Sequence, residues 1–380
     1  MKFIHTADWH LGRIFWGVHL TEDQSYVLDQ LVSIIRDIKP DAILISGDIY
    51  DRSVPPSEAV WLLDEVISKI VLGFKIPMII IAGNHDSSAR LDFASRLLQE
   101  QRFHIFGSLD SRIKPIVIED KYGPVYLYPI PYAEPAIVRE KLEDDTPIDP
   151  ASALKAIIDG VKEIKPKKTR SILMAHAFVV GGKESESERP LSIGGTSTVE
   201  ASLFDSFDFV ALGHLHRPQN VDNERIIYPG SLMKYSFSEA SHTKSVSFIE
   251  MDDNGNCVVE RIPLKPRRDV RIVRGYLKDV LKPPKKDENP KDFVLVQLLD
   301  TDAILDVMGQ LREVYPNVLH LERPNLEFSG QVQGIDHHKV DDISLFSSFF
   351  SQVTGEKLSK VQRDTFASIV DEIRSNERKE

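Results

Sequence analysis

The chain has 380 residues, 42% of them hydrophobic and 28% charged, and a formal net charge of -11. That composition describes roughly two or three water-soluble domains with sizeable cores, and no apolar run approaches the ~18 residues of a membrane span. The acidic balance disfavours a protein coated in nucleic acid, although phosphate contacts can still be local. The one cysteine, Cys257, cannot close an internal disulfide, and no signal-like segment precedes the first strand, so a cytoplasmic location is expected.

The chain opens on MKFIHTADWHLGR, where an apolar strand from Met1 to His5 runs into Asp8, Trp9 and His10. The same pattern returns downstream. Ala42 to Ile45 leads to Asp48, Met78 to Ala82 leads to Asn84, His85 and Asp86, SILMAH delivers His176, and FVALGHLH delivers His214 and His216. Between these runs the spacing predicts a helix over Ser57 to Leu72, with Val60, Leu62, Leu63, Val66 and Ile70 largely in the core, and another over 90–101. Short Ile/Val-rich runs alternating with helices read as buried strands of an α/β sheet, whose ligands bind beyond the strands' carboxyl ends.

The pattern changes near IPLKPRRDV. From Lys265 to Lys291 ten Lys or Arg face four Asp or Glu, which fits either a DNA-facing patch or a solvated, mixed-sign loop. VRIVRGYL, DFVLVQLL and VLHLE read as strands, and Ile304, Val307, Met308, Leu311 and Val314 as a helical stripe, giving a small α+β domain. After LEFSGQVQG the tail turns helical. Ile343, Phe346, Phe350 and Val353 form one stripe, and Leu358, Val361, Ile369 and Ile373 another, with Gly355 between. Such a pair can pack on its own domain or dock on another protein.

Taken singly, each His or Asp after a strand has a bland explanation, as a hydrogen-bonded core side chain or a helix cap. Jointly they do not. Five of the 12 histidines (His10, His85, His176, His214 and His216) follow apolar runs, and burying so many imidazoles and carboxylates without compensation is very costly. Bound metal removes that cost. A donor set of imidazoles, carboxylates and an amide oxygen, without cysteine, suits Mn²⁺ or Fe²⁺ better than structural Zn²⁺. Its size exceeds one tetrahedral ion and suits two that share a carboxylate. If the backbone is extended there, Asp8 and His10 point to one side, as do His214 and His216. The chain has no phosphate-cradling GxxxxGK[ST] loop, so any ATP dependence must come from a partner.

DWH, GDIYD, GNHD, MAH and GHLH, in this order, resemble the five motifs of the calcineurin-like metallophosphoesterases. HTADWHLGR, SERPLSIGG, GHLHRPQ and YPGSLMKYSFSE further resemble the SbcD family, nuclease subunits of bacterial SbcCD complexes and relatives of the eukaryotic double-strand-break repair nuclease. The likeness is strong over residues 1–265. It implies a metallophosphoesterase sheet sandwich flanked by helices (1–265), a small α+β capping domain (266–325), a linker (326–338) and a helical partner-docking segment (339–380). It also implies that Asp8, His10, Asp48 and His216 hold one divalent ion, and Asp48, Asn84, His176 and His214 the other, with Mn²⁺ the expected metal. His85 would then serve the leaving oxygen, and Asp51 matches the acid that orients this histidine in phosphoprotein phosphatases. Relatives of this nuclease tend to carry a histidine at that position, so Asp51 can equally be read as a cap on its own loop. The implied activity is Mn²⁺-dependent cleavage of DNA, exonucleolytic on duplexes and endonucleolytic on single strands and hairpins, in repair and recombination. The implied partners are DNA, a coiled-coil ATPase of the SbcC type bound through 339–380, and a second copy of the chain bound through helices near 57–72 and 90–101. A calcineurin-like phosphoesterase acting on nucleotides or phosphoproteins is the alternative.

Overall fold

Successive side chains of a strand face opposite ways, so an unbroken apolar run serves a sheet that is covered on both faces. The computed structural model describes all residues except 192–196, 285–287, 303, 326–342, 344–345, 348–349, 352–356 and 378–380, and the side chains of 371–377. In chain order the strands of its two large sheets are β1 (Lys2–Thr6), β2 (Ala42–Ser46), β3 (Met78–Ile81), β4 (Phe103–Phe106), β5 (Ile116–Asp120), β6 (Gly123–Pro129), β7 (Arg170–His176), β8 (Phe209–Gly213), β9 (Gln219–Val221), β10 (Asn223–Tyr228), β11 (Ser245–Met251) and β12 (Cys257–Pro263). One six-stranded sheet runs β12-β11-β1-β2-β3-β4, the other β9-β10-β8-β7-β6-β5. The central neighbours β1, β2 and β3 are parallel, as are β6, β7 and β8, so within each sheet their carboxyl ends share one edge.

Alternation sorts each run into layers. Phe3, Leu44, Ile79 and Ile81 of the first sheet meet Leu127, Ile172, Met174 and Phe209 of the second in one apolar layer. Their neighbours Ile4, Ile43, Ile45 and Ile80 turn the other way, toward α1 (Thr21–Ile38) and α2 (Ser57–Ile67). Leu173, Ala175, Val210 and Leu212 pack against α3 (Pro150–Ile164). The result is a helix–sheet–sheet–helix sandwich, in which each fully buried Leu or Ile contributes about 1.5–3 kcal/mol by removing its side chain from water.

Two predicted helices differ in detail. The α-helical part of 57–72 ends at Ile67 and continues as a wider π-helical stretch, Ser68–Phe74. Leu62, Leu63, Val66 and Ile70 are buried, whereas Val60 is 42% and Trp61 69% exposed. The 90–101 helix is broken into Ser88–Leu91, Ser95–Leu98 and a 3-10 turn, Gln99–Gln101. Ala94 sits at φ 60°, and the Asp92 carboxylate beside it accepts the amides of Gly107 (2.7 Å) and Ser108 (3.0 Å).

The chain divides into two compact units: Met1–Ile272, Pro283–Leu295 and Arg312–Leu319 form the first, and Val273–Lys282, Val296–Leu311 and His320–Glu380 the second. Beyond the sandwich, β13 (Val270–Gly275), β14 (Phe293–Leu298) and β15 (Val318–Glu322) belong to a three-stranded sheet. The predicted Ile304 stripe is shorter than its pattern: α4 spans Val307–Val314 and buries Leu311. In the tail, α5 covers Lys360–Glu377, and Phe366 on it stacks on Phe346 at 3.8 Å between ring centroids. The expected linker 326–338, with Val353 and Gly355, lies outside the described residues. Several cations of the 265–291 stretch already have acidic partners: Arg267 pairs with Glu22 (2.5 Å), Arg268 with Asp23, and Arg271 with Asp292 (2.7 Å) and Glu288 (3.0 Å). Among the described residues, no helix is long and apolar enough to cross a membrane.

Candidate metal centre

The loops that leave β1 and β2 are laced to each other by the backbone. The amide of Asp8 donates to the carbonyl of Gly47 (3.0 Å), that of His10 to Asp48 (3.0 Å), and that of Leu11 to Ile49 (2.9 Å). Gln24 on α1 grips the first loop, its amide donating to the His10 carbonyl (2.8 Å) while its oxygen accepts from Gly12 (3.1 Å). Trp9 is fully buried beneath, its indole N–H on Thr6 Oγ1 at 3.0 Å.

This lacing corrects one expectation. Asp8 and His10 do not converge by lying on an extended strand, because β1 stops at Thr6 and both residues sit at positive φ, 54° and 46°. Asp48 (51°) and His214 (107°) share that region. A non-glycine residue held there costs about 1–3 kcal/mol, and such strain persists only where the surroundings over-determine it. Four strained residues just beyond the carboxyl ends of strands from both sheets therefore mark a built site. The glycines before the donors answer to crowding. A Cβ on Gly83 would lie 2.2 Å from Asp48 Oδ1, and one on Gly213 would lie 1.7 Å from the Ser46 carbonyl oxygen.

Two donor pairs face each other. His10 Nε2 and His216 Nε2 are 2.9 Å apart, and His176 Nε2 and Asn84 Oδ1 are also 2.9 Å apart. Ligands with bonds of about 2.0–2.2 Å to one ion sit about 3 Å from one another, so both pairs have a suitable spacing for shared coordination. Asp48 Oδ2 lies 3.6 Å from His10 Nε2 and 3.5 Å from His176 Nε2, between the pairs. Asp8, His10 and His216 form one close donor group, and Asp8, Asp48 and His176 another, each within 4.8 Å. His214 enters differently: its backbone amide donates to Asp8 Oδ1 (2.9 Å), and its ring packs edge-on against His176 with centroids 5.4 Å apart.

The electrostatics agree with a cation site. Burial, and then the neighbouring Asp48, push the Asp8 carboxyl well above the usual carboxylate range. Burial, reinforced by neighbouring imidazoles, holds His10 and His214 well below the usual histidine range, and His176 is lowered by burial against the opposing pull of Asp48. Buried carboxylates that repel one another, beside imidazoles that keep their lone pairs, are unfavourable alone and suited to divalent cations. The residues present fit two such ions.

His85 adjoins the donors, with a ring nitrogen within 4.8 Å of ligand atoms of His10 and Asp51. Its backbone amide donates to Asp48 Oδ1 (2.9 Å), and its Nδ1 lies 2.8 Å from the backbone carbonyl of Asp51, leaving Nε2 3.8 Å from Asp48 Oδ2. The hydrogen bond that holds His85 thus comes from the Asp51 main chain. The Asp51 carboxylate instead takes Arg13 Nη1 at 2.8 Å and approaches His10 Nδ1 at 3.8 Å. The arginine, 38 residues away in sequence, takes up the acid, and the hydrogen bond between Asp51 and His85 runs through the Asp51 carbonyl.

Other residues of the site were not foreseen. Asp86 accepts the amides of Ile49 (3.1 Å), Tyr50 (2.9 Å) and Gly83 (2.9 Å), tying the second loop to the third, and burial followed by Asp48 pushes its carboxyl up to about 7. Behind His216 lie Ser187, Glu188, Glu239 and Lys244. Glu188 Oε1 accepts the His216 amide at 2.7 Å, and Lys244 Nζ donates to the His216 carbonyl at 2.7 Å. The strings SERPLSIGG and YPGSLMKYSFSE contain Ser187, Glu188 and Glu239, but without a residue spacing that assigns them a task.

Two solved structures are similar at a TM-score of 0.40 and 14% identity: TT1561 of Thermus thermophilus, over 68% of this chain and 98% of that one, and a dimetal phosphatase from Danio rerio, over 70% and 96%. A family model described as the type 5 capsule protein repressor C-terminal domain matches residues 266–354. The model of the calcineurin-like phosphoesterases matches residues 1–218, more than half of the 380, and covers every donor named above. The chain belongs to the calcineurin-like phosphoesterases, metal-dependent enzymes, and these loops gather donor groups that could hold metal ions.

Proposed function

We propose that the chain is a DNA phosphodiesterase, exonucleolytic on duplex ends and endonucleolytic on single strands and hairpins, that acts with an ATPase partner in repair and recombination. The observation that carries the two-ion chemistry is Asp48 Oδ2, 3.6 Å and 3.5 Å from the leading nitrogens of two donor pairs. Asp8, His10, Asp48 and His216 would hold one ion and Asp48, Asn84, His176 and His214 the other. Bound divalent cations, Mn²⁺ in this reading, supply Lewis acidity toward the phosphodiester and an activated water. The protein's own contribution is placement and one proton. With Nδ1–H donated to the Asp51 carbonyl, His85 turns Nε2 toward the site, where the doubly protonated ring would give its Nε2 proton to the leaving sugar oxygen and be left as the neutral Nδ1–H imidazole.

DNA is favoured over nucleotides or phosphoproteins by the motif strings shared with the SbcD family and by the C-terminal match over residues 266–354. The ion pairs along 265–291 weigh against assigning DNA contact to that stretch by its charge alone. Trp61, Phe93 and Leu97, 69%, 82% and 76% exposed on the 57–72 and 90–101 segments, support pairing with a second copy there. Val361 and Ile369, 75% and 48% exposed on α5, support docking of a coiled-coil ATPase of the SbcC type on 339–380. The location that follows is the cytoplasm, at the nucleoid during action. The test is a Mn²⁺ assay of blunt, hairpin and single-stranded DNA against nucleotides and a phosphopeptide, with and without the ATPase. Faster turnover of nucleotides or phosphopeptide than of any DNA would favour the alternative.

A further inference from the structure

We infer that Ser187 and Glu239 are positioning residues that fix the tautomer of His216, keeping its Nδ1 protonated and its Nε2 bare toward the centre. This deepens the two-ion reading and rests on it for the role of Nε2. Glu239 is fully buried, and every hydrogen-bonding partner of its carboxylate can donate: Oε1 takes the Tyr235 amide (3.1 Å) and Ser236 Oγ (3.1 Å), while Oε2 takes Lys244 Nζ. A carboxylate paired in this way accepts and does not donate. Ser187 Oγ, 2.6 Å from Oε1, must therefore spend its single proton on Glu239. The same oxygen is 2.6 Å from His216 Nδ1 and has only lone pairs left to offer, so the proton of that contact belongs to Nδ1. A neutral imidazole protonated at Nδ1 carries its lone pair on Nε2, the atom that faces His10 at 2.9 Å.

The relay also explains two stretches that the phosphoesterase motifs leave unused. Ser187 and Glu188 come from SERPLSIGG and Glu239 from YPGSLMKYSFSE. Glu188 pins the His216 backbone from one side, and Lys244, which joins the Glu239 carboxylate, holds the His216 carbonyl from the other. Ring and main chain are thus fixed together. An imidazole left to choose its tautomer would offer Nε2 to an ion only part of the time, and losing a partner of a ligating histidine typically costs about 10- to 100-fold in metal affinity.

The test uses the full chain with ¹⁵N-labelled histidine, stripped of metal by chelation, the His216 signals being assigned by their loss in His216→Asn. Wild type should show His216 as the Nδ1-protonated tautomer, and Ser187→Ala should show a mixture. In Mn²⁺ calorimetry Ser187→Ala should weaken one of the two ions about 10- to 100-fold and leave the other unchanged. Wild-type His216 protonated at Nε2, or a folded Ser187→Ala protein with wild-type tautomer and affinities, overturns the relay. If His216→Asn leaves both Mn²⁺ affinities unchanged, the ligand assignment of His216 fails instead, and the tautomer of the metal-free protein still decides for or against the relay.

Discussion

Replacing Gly83 by alanine adds one methyl group at a crowded point behind the centre. The new Cβ would lie 2.2 Å from Asp48 Oδ1 and 2.4 Å from the Asp48 backbone nitrogen, both well short of the 3.4 Å at which ordinary van der Waals contact begins. Gly83 itself is not at positive φ, so the effect is steric and falls on Asp48. Overpacking of this kind costs about 1–3 kcal/mol of stability. A carboxylate displaced by about 1 Å costs about 10²-fold in rate, because the geometry it sets is lost. Gly83→Ala should therefore melt moderately lower, bind both Mn²⁺ ions more weakly and hydrolyse a generic phosphodiester about 10²-fold more slowly. Gly160→Ala is the control: nothing lies within 4 Å of its Cβ, it is within α3, and it should gain about 0.5–1 kcal/mol with unchanged rate. Calorimetry, thermal melts and steady-state rates read all three effects. A Gly83→Ala enzyme with wild-type ion affinity and rate would refute the reasoning.

His85→Asn should bind metal and DNA normally yet cut about 10²- to 10⁴-fold more slowly, as for a lost general acid, and near-normal cleavage would remove His85 from the mechanism. His5, fully buried with Nε2 on Ser46 Oγ at 3.0 Å, has its imidazole pushed down to about 3 by burial, which the Leu212 backbone opposes only in part. The unfolded chain takes up this proton near pH 6.5 and the folded one does not, so stability falls by about 1.4 kcal/mol per pH unit between 6.5 and 3 on this account. His5→Gln should lessen the slope of denaturant-derived stability against pH by about that amount, and an unchanged slope would count against the assignment. Deleting 339–380 should spare metal binding and Mn²⁺-dependent cutting of single strands while abolishing ATPase association; retention of the partner by the truncated chain would return those helices to the fold.

The strands and their donors were legible because β1, β2, β3, β7 and β8 are buried on both faces, which forces continuous Ile/Val/Leu runs that end where the chemistry begins. The loops were less so. Asp8 and His10 are two residues apart, but their direction is set by hydrogen bonds to Gly47 and Asp48, some 40 positions on, and not by strand alternation. Likewise the pairing of Asp51 with Arg13 and of Ser187 with Glu239 spans 38 and 52 residues, and no local periodicity encodes it. The 90–101 segment has a helical pattern, yet Asp92 caps the loop at Gly107 and Ser108, a tertiary hydrogen bond that outweighs propensity.

The most direct measurement of the central claim is the Mn²⁺ content of purified wild type, Asp48→Ala and Asn84→Ala by elemental analysis and calorimetry. If one carboxylate bridges two ions, wild type holds about two per chain, Asp48→Ala loses tight binding of both, and Asn84→Ala weakens mainly one. An Asp48→Ala protein that keeps two tightly bound ions, or a wild-type enzyme fully active after chelation, would contradict it.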